Sequence, residues 1–482
     1  MQQEQADTKF IFLRLSIVLL AGYLVAIILF YFLAGEQLHL RKSRDNQPLP
    51  VADRGTVELA AGNVVEQYFM TEIQRLEQID IQWGTFYRPN AGRVFVELVD
   101  TRSDKVLLSQ SFDASQIPEG GLTTLTAETP VEGLYQVPLL LRVTADSQPG
   151  SAASPMMNSQ IQREDWELAL NGVPEFGTLC VALSGTDYIW TGLHYWEFAA
   201  IGLGLLLLFL FIVWYRCRRG KRSYVINAVI AVKKYRFLIR QLVSRDFKTK
   251  YKRSVLGVFW SFLNPLLTMS VQYVVFSTLF QSDIENFPVY LLIGIVSFNF
   301  FSEATGMALA SIISNVSLIT KVYMPKFIYP LTRVLSSLVN LVISLIPMIL
   351  VCLFTGVHFR LPFILMVFFL FCLVIFSLGI GMVLASSMVF FRDTQFLWGV
   401  LSMIWMYLTP IFYPETILPE NLRVILQFNP LYHFITYARM CILDGLSPEP
   451  IAYVQCLAMA LSMLLVGAVV FRKSQDRFVL YL

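Results

Sequence analysis

Hydrophobic and polar positions follow two different patterns in this chain of 482 residues. Long, nearly unbroken apolar runs lie near the N-terminus and through the second half, and short alternating runs lie between them. Residues 10–33 are apolar apart from Arg14, and a helix of this length spans roughly 36 Å, enough to cross a bilayer. A cleaved signal peptide is the alternative, but the long run and the acidic residues before it favour a retained anchor. Residues 195–215 predict a second membrane helix.

The region between these two helices has the pattern of a β-domain. Short apolar runs occur at residues 79–83, 94–99, 106–112, 137–143, 166–170 and 179–183. Sequences typical of turns separate them, at 89–92, 102–104, 118–121 and 171–172. Regular short strands of this kind predict a β-sandwich over residues 35–192. The Gly, Ser and Pro content of residues 148–160 predicts a flexible loop there.

The second half of the chain predicts six further membrane helices. They are expected at residues 257–280, 288–312, 327–355, 361–390, 395–412 and 451–471. Residues 413–445 contain three prolines and scattered charges, which predict a re-entrant pair of short helices that must be buried by protein or line a wet cavity. The predicted fold is a polytopic α-helical membrane protein of about eight spanning helices with an added β-sandwich.

The distribution of charge predicts the orientation in the membrane. Residues 216–253 contain many Lys and Arg and one acidic residue, Asp246, so this side is expected to face the cytoplasm. Residues 35–192 are then extracytoplasmic, and both termini of this cytoplasmic-membrane protein lie inside. The predicted segments are 1–34 (N-terminus and anchor), 35–192 (β-domain), 193–215 (second anchor), 216–256 (basic linker and interface helix) and 257–482 (six-helix core).

Composition narrows the class of protein. Hydrophobic residues make up 56% of the chain and charged residues 15%, against about 25% charged residues in soluble proteins. Six scattered cysteines, without CxxC or a histidine cluster, imply neither a metal site nor a disulfide framework. No segment matches the P-loop pattern, so this chain is not expected to bind ATP through such a loop.

Several ordered motifs carry a resemblance to a known family. They are KRSVLGVFWSFLNPLL after a basic amphipathic helix, SNVSLITKVYMPKFIYPL, FFRDTQ, LTPIFYPETILP and FNPLYHFITYARMCILDG. Residue 236 to the C-terminus resembles the permeases of type-2 ABC exporters, in the subfamily that exports O-antigen and teichoic acid. The N-terminal β-domain departs from the usual pattern of that family. The resemblance implies a non-enzymatic homodimer with two separate ATPase subunits, which bind ATP and Mg and drive export of an undecaprenyl-pyrophosphate-linked polysaccharide.

Two groups of residues on the inner side are candidate sites. In the family, the segment matching 315–325 is the coupling helix that docks into the ATPase; the alternative is an ordinary connector. Its expected contacts are Asn315, Leu318, Lys321, Met324 and Pro325. Cations of the basic helix suit a pyrophosphate or, equally, anionic lipid headgroups. These candidates are Arg236, Arg240, Arg245, Lys250, Lys252 and Arg253.

Aromatic and outer-side residues form three further groups. Sugar rings stack on aromatic side chains, so aromatic residues of the core helices are candidates for a glycan pathway. The alternative is that they face lipid or pack between helices. The candidates are Trp260, Tyr273, Phe276, Phe298, Phe301, Trp405, Tyr407 and Tyr413. Glu303 is a further candidate for the glycan pathway. Burying a charge within a membrane helix costs free energy, so such a residue usually faces a cavity or a partner group. The candidate outer gate is Asn429, Pro430, Arg439 and Asp444. Candidate glycan contacts of the β-domain are Phe86, Tyr87, Tyr135 and Trp83, the last with a core position as the alternative.

Other functions remain open on the sequence alone. A permease for a smaller lipid or a drug has the same general pattern. A membrane-embedded glycan transferase needs paired carboxylates or a metal site, and Asp80, Asp100 and Asp146 are dispersed. The β-domain could also act as a dimerisation lid or as a docking site for an envelope protein.

Overall fold

A computed structural model describes residues 2–45, 49–219, 224–252, 254–280, 286–321 and 324–481. Arg253, one of the predicted phosphate ligands, lies outside these residues. The chain forms two compact units. One is a β-unit, His39–Leu193, and the other is a helical unit made of Met1–Leu38 and His194–Leu482.

The β-unit contains two antiparallel sheets. Its strands are β1 (Leu40–Asp45), β2 (Arg54–Gly55), β3 (Val64–Met70), β4 (Arg75–Gly84), β5 (Arg93–Asp100), β6 (Lys105–Asp113), β7 (Leu122–Glu132), β8 (Pro138–Ala145), β9 (Ser154–Asn158), β10 (Glu167–Leu170), β11 (Val173–Glu175), β12 (Thr178–Leu179) and β13 (Val181–Tyr188). One sheet has the order β1-β13-β4-β9-β12, with β7 paired to β4 and β2 paired to β9. The other has the order β11-β10-β3-β8-β5-β6.

Alternating side chains explain why these strands pack as two layers. In β5, Val94, Val96 and Leu98 are fully buried while Arg93 and Phe95 point outward, so one face of the strand belongs to the core. Apolar rows from both sheets join in a single buried cluster. The predicted β-sheet domain is therefore confirmed.

The prediction of a flexible loop at residues 148–160 is wrong in part. Ser154–Asn158 forms β9, which pairs with β2, β4 and β12. Ala152, Ala153 and Met157 are fully buried, and the small side chains allow the backbone to lie close to its neighbours. Turn-like composition hid this strand because small residues suit close packing as well as loops.

The helices lie at the positions that the apolar runs predict. The chain contains α1 (Gln2–Ala34), α2 (Trp190–Leu193), α3 (Tyr195–Arg218), α4 (Tyr224–Lys234), α5 (Arg236–Tyr251), α6 (Phe259–Phe280), α7 (Phe287–Leu309), α8 (Val316–Lys321), α9 (Ile328–Phe354), α10 (Met366–Phe390), α11 (Thr394–Leu408), α12 (Glu420–Leu426), α13 (Pro430–Arg439), α14 (Pro450–Gln475) and α15 (Phe478–Tyr481). A 3₁₀ turn, Leu361–Leu365, precedes α10, and a π-helical turn, Met440–Asp444, follows α13.

Six helices in the described part of the chain are long and apolar enough to cross a membrane. They are Phe10–Leu38, Tyr195–Arg218, Phe287–Leu309, Ile328–Phe354, Leu361–Phe390 and Pro450–Gln475. The apolar helix α6 and the 15-residue α11 occupy the other two predicted positions. The polytopic helical fold is confirmed.

Helix α7 is at the centre of the helical unit and packs against α6, α9 and α10. Helices α10 and α14 approach each other closely through glycines. A Cβ on Gly379 would lie 2.5 Å from the Met463 carbonyl oxygen, and one on Gly467 would lie 2.3 Å from the Gly379 carbonyl oxygen. Small residues at a helix crossing allow this backbone contact.

The two anchor helices pack on each other and on the core. The Tyr23 hydroxyl donates to the Ala199 carbonyl at 2.7 Å, and the Tyr195 hydroxyl donates to the Ile27 carbonyl at 2.8 Å. The ring of Phe30 lies edge-on to Tyr453 of α14, with centroids 4.5 Å apart. Helix α1 is thus part of the helical unit rather than a loose tether.

Candidate functional site

The basic helix α5 lies on α9 and leads into α6. Ile239 and Leu242 are its buried apolar residues, and Ile239 packs in a cluster with Met324 and Ile328. The turn after the helix includes Gly257 at φ +52°, a left-handed conformation that glycine adopts without strain. The charged side chains of α5 therefore project from a helix held in place by its apolar face.

One face of α5 is a cationic stripe. Gln241, Arg245, Lys248 and Lys252 follow the spacing of a single helix face, and with Arg240 they line a groove of about 960 Å³. Leu318 of α8 forms part of the other wall, and none of the described residues that line the groove is acidic. The groove is therefore a suitable place for an anionic group with an apolar tail. Lys248 was missing from the predicted ligands, although its spacing from Arg245 and Lys252 indicates the same face.

A ring of polar contacts ties α5 to α9 and to the segment that leads into α8. Asp246 accepts from Arg333 at 2.8 Å and from Arg245 at 3.2 Å. Arg245 also donates to the Asn315 side-chain oxygen at 3.2 Å, and Arg333 donates to the Ser314 hydroxyl at 3.1 Å. This segment is therefore joined to both helices by direct hydrogen bonds.

The structure corrects the predicted contacts of this connection. Asn315 and Met324 are buried within the chain, Asn315 by its bond to Arg245 and to the Ser311 carbonyl, and Met324 in the apolar cluster under α5. Neither side chain is available to a partner protein. Leu318 and Pro325 are half-buried, and Lys321 is exposed. The exposed residues of α8 also include Ser317 and Thr320. Thr320 and Lys321 lie three and four positions after Ser317, so all three are on one face of the helix.

The predicted phosphate ligands separate into different environments. Arg240, Arg245 and Lys252 line the cationic groove. Arg236 is exposed and borders a different, mostly apolar groove against α9. Lys250 points towards the helix core, where its ammonium lies 2.8 Å from the Glu303 carboxylate. The five candidates among the described residues do not form a single site.

The predicted aromatic pathway is also divided. Phe301 is fully buried and packs against the ring of Trp405 at 5.3 Å, so its proposed place on a pathway is wrong for a single chain. Phe276 stacks on Phe412 with centroids 5.3 Å apart. Phe298 is buried but borders a groove between α7 and α11. The residues with large exposed surfaces are Trp260, Tyr273 and Tyr407, and the Tyr413 hydroxyl donates to the Tyr407 carbonyl at 2.7 Å.

Asn429 and Pro430 start helix α13, as the sequence predicts. The Asn429 side chain accepts from the Leu431 amide at 3.1 Å and from the Trp405 indole at 2.8 Å, and Pro430 occupies the first helical position. Trp405 thus supports the turn rather than presenting a free indole.

Arg439 is buried at the end of the same helix. Its guanidinium donates to the carbonyls of Pro410 at 2.7 Å, Ile411 at 2.9 Å and Tyr290 at 3.2 Å, and lies 3.5 Å from the centroid of the Tyr290 ring. These bonds hold the segment after α11 against α7. Asp444, the fourth residue of the predicted outer gate, lies in the π-helical turn that follows α13.

Comparison with known proteins decides the family. Residues 238–443 match the ABC-2 type transporter family. The chain is 30% identical over 246 residues to the O-antigen export system permease protein RfbA of Klebsiella pneumoniae, covering 93% of that protein and 50% of this one. This chain belongs to the ABC-2 type transporters. It is also 29% identical over 256 residues to the protein of the same name from Myxococcus xanthus (98% of that protein, 53% of this chain), and 24% identical over 249 residues to the polysialic acid transport protein KpsM of Escherichia coli (93% and 49%).

The family match begins within α5, so the β-unit of this transporter lies outside it. Of the four predicted glycan contacts there, Trp83 is fully buried and its indole donates to the Thr123 hydroxyl at 2.6 Å. Trp83 is a core residue, and its expected contact with glycan is wrong. Phe86, Tyr87 and Tyr135 are exposed. Tyr135 pairs with Thr71 near the start of β4, whereas Phe86 and Tyr87 follow its end, so the three rings do not share one site.

The Phe86–Tyr87 loop is held in an unusual conformation. Both residues have positive φ, 56° and 53°, which is unfavourable for bulky side chains. The Glu119 carboxylate accepts from the Thr85 hydroxyl at 2.5 Å, the Thr85 amide at 2.6 Å and the Tyr87 amide at 3.3 Å. These bonds lower the pKa of Glu119 below its ordinary value, and the bond from the Thr85 hydroxyl has the largest effect. A charged carboxylate thus fixes a loop that presents Tyr87 to solvent, with 90% of its side chain exposed.

Proposed function

We propose that this chain is the transmembrane subunit of an exporter that moves a lipid-linked polysaccharide across the cytoplasmic membrane. A separate P-loop ATPase subunit, which binds ATP and Mg, supplies the energy. Two copies of the permease and two ATPases form the working complex. The names of the relatives support this proposal, because the similar proteins from K. pneumoniae and M. xanthus are O-antigen export system permeases by name.

The main support for this proposal is the cationic groove beside α8. An undecaprenyl-pyrophosphate carrier has a concentrated negative charge next to a hydrocarbon chain. Arg240, Arg245, Lys248 and Lys252 supply complementary charge, with the bidentate geometry of Arg suited to phosphate. Phe237 and several leucines supply apolar walls in the same groove. A drug or an uncharged lipid would not need four cations at this position.

Coupling to the ATPase follows from the position of α8. The partner contacts the exposed face formed by Ser317, Thr320 and Lys321. When ATP binding moves this face, the ring of bonds from Asn315 to Arg245 and from Ser314 to Arg333 pulls on α5 and α9 together. The wall of the cationic groove that contains Leu318 moves in the same step. One displacement thus changes both the headgroup site and the helices that flank the pathway.

The glycan passes between two copies of the permease. Trp260, Tyr273 and Tyr407 present aromatic surface on α6 and α11 that a single chain does not cover. Sugar rings carry apolar CH faces that stack weakly on such side chains, and many weak contacts allow a polymer to slide. In the β-unit, Phe86 and Tyr87 contact the glycan after export, because their loop is fixed by Glu119 before any ligand arrives.

The test is reconstitution with the ATPase encoded by the same host. The two proteins are co-purified and placed in proteoliposomes, and transfer of undecaprenyl-pyrophosphate-linked glycan is measured with and without ATP. The double variant Lys248→Gln/Lys252→Gln should lose glycan transfer, whereas Arg236→Gln, an exposed cation outside the groove, should keep it. An ATPase that co-purifies without glycan transfer would point to a smaller lipid or a drug. The absence of any co-purifying ATPase would refute the proposal.

A further inference from the structure

A small polar cavity lies between four helices on the side of α5 opposite the cationic groove. It has a volume of about 70 Å³, enough for water molecules. Its lining includes Lys250 from α5 (Arg236–Tyr251), Asn264 from α6, Asn299 and Glu303 from α7, and Asn340 from α9. Serine hydroxyls from α6 and α9 complete the wall. This density of amides and hydroxyls is unusual among packed apolar helices.

The donors of this cavity converge on one carboxylate. Glu303 accepts from the Lys250 ammonium at 2.8 Å and from the Asn340 amide at 2.6 Å. The Tyr251 hydroxyl donates to the other end of the Asn340 amide at 3.1 Å and contacts the Ser261 hydroxyl. The carboxylate thus has an ammonium and an amide as direct donors and hydroxyls nearby in the cavity wall, a set of groups that also binds phosphate. The carboxylate of Glu303 thus occupies the place of an anionic ligand.

The ion pair is reachable from outside. The Lys250 side chain is 43% exposed and that of Glu303 is 28% exposed, so an anion can approach Lys250 without opening the helix core. Ion pairs with this exposure contribute little net stability. Exchange of one anion for another at Lys250 therefore costs little free energy. The same exchange at the pair between Arg333 and Asp246 would cost more, because that pair is far more buried.

We infer that this cavity is a second binding site for the phosphate-bearing headgroup of a lipid, and that the Glu303 carboxylate occupies it until the lipid phosphate takes its place at Lys250. The inference rests on the proposed function for the cargo, but the donor set is common to membrane phospholipids and to a lipid pyrophosphate. On exchange, the Glu303 carboxylate releases both the Lys250 ammonium and the Asn340 amide and turns to solvent. Helix α5 then loses its ionic link to α7, while its link to α9 through Asp246 remains.

The test uses the full permease in a phosphate-free detergent. Undecaprenyl pyrophosphate, phosphatidylglycerol and inorganic pyrophosphate are added separately, and binding is measured by native mass spectrometry. Glu303→Gln removes the competing charge and retains the shape, so it should bind undecaprenyl pyrophosphate about tenfold more tightly. Glu303→Gln/Lys250→Met should lose that gain. Unchanged binding by a folded Glu303→Gln protein, or a gain that persists without Lys250, would overturn the inference.

A measurement on the unmodified protein covers the case in which Glu303→Gln does not fold. Lysine acylation is followed by peptide mass spectrometry, with the exposed Lys473 as the internal reference. A lipid phosphate should protect Lys250 relative to Lys473. Protection by phosphatidylglycerol alone supports the site and contradicts a pyrophosphate cargo. Protection by neither lipid, in a preparation that still exports glycan, refutes this site and leaves the proposed function intact.

Discussion

The ring around Asp246 allows a quantitative prediction. Its carboxylate is 6% exposed and bonds to Arg333, Arg245 and, at 3.4 Å, the Ser336 hydroxyl. Asp246→Asn keeps the shape of the side chain and removes the charge. Two guanidinium groups then lose their counter-ion, one of them only 16% exposed. The structural consequence should be a looser attachment of α5 to α9.

The magnitude follows from burial and distance. At an effective dielectric constant of 20, a pair at this separation attracts with several kcal/mol, but desolvation offsets most of it. Removing one partner of a buried pair costs about 3–5 kcal/mol, because the other charge stays buried without compensation. The helical unit has about 330 residues, so an unfolding entropy of about 2.1 cal/mol/K per residue makes each kcal/mol lower the melting temperature by about 1.5 °C. The expected decrease is therefore roughly 4–8 °C.

The assay exploits the buried thiols of the helical unit. Cys352, Cys372, Cys441 and Cys456 are each at most 1% exposed, so a thiol-reactive dye reports their exposure on heating. Asp393→Asn is the matched control, since Asp393 is exposed and its side chain makes no capping bond to α11. Asp246→Asn should melt well below the control. Equal melting temperatures for the two variants would refute the assignment of Asp246 as the link between α5 and α9.

Three further predictions test other parts of the structure. Gly294→Ala places a Cβ 2.7 Å from the Arg439 guanidinium and should destabilise the helical unit by about 1–3 kcal/mol in the same dye assay; an unchanged midpoint would contradict the packing. Because hydrogen bonds from Thr85 lower the folded-state pKa of Glu119, its stabilisation of the β-unit is complete at neutral pH and is lost as pH falls below about 4.3, the pKa of an unfolded Glu. Hydrogen bonds also lower the pKa values of Asp53, Asp100 and Asp113, so Glu119→Gln should reduce the acid sensitivity seen in tryptophan-fluorescence melts without abolishing it, and an unchanged sensitivity would refute the role of Glu119. Lys321→Glu should reduce stimulation of the partner ATPase without changing the melting temperature, whereas Asn315→Ala should lower the melting temperature; identical effects would contradict the exposed-face assignment.

Hydrophobic periodicity predicted the large features of the fold because membrane helices and alternating strands each leave a strong pattern. The helix predicted at residues 327–355 is observed at Ile328–Phe354, and β5 contains the predicted run 94–99. Strands β3 and β7 were not predicted, since their exposed faces contain mixed residues that weaken the alternation. In β7, Leu125 is buried and the other residues are partly buried or exposed, so the apolar signal is diluted.

The candidate site was harder to predict because the type of a residue does not show which way its side chain points. Lys250 and Lys252 look alike in the sequence, yet two positions on a helix differ by about 200° and place them on opposite faces. Asn315 was expected to contact a partner, but its polarity serves a buried bond to Arg245. Trp83 is of a residue type that often binds sugars, but it lies in a strand whose alternating pattern places it in the core. The structure buries it there.

The two polar faces of α5 give the proposed headgroup site a direct connection to the other helices of the core. Arg245 belongs to the groove on one face and also bonds to Asn315, whereas Lys250 on the other face bonds to Glu303 of α7. A phosphate in the groove competes for the same guanidinium that holds the connection to α8. A phosphate at Lys250 releases the link to α7. Because a helix is rigid over sixteen residues, either event changes the forces on its opposite face. In the proposed function, α5 would therefore join the charge of the cargo to the ATPase contact through bonds that this chain already makes.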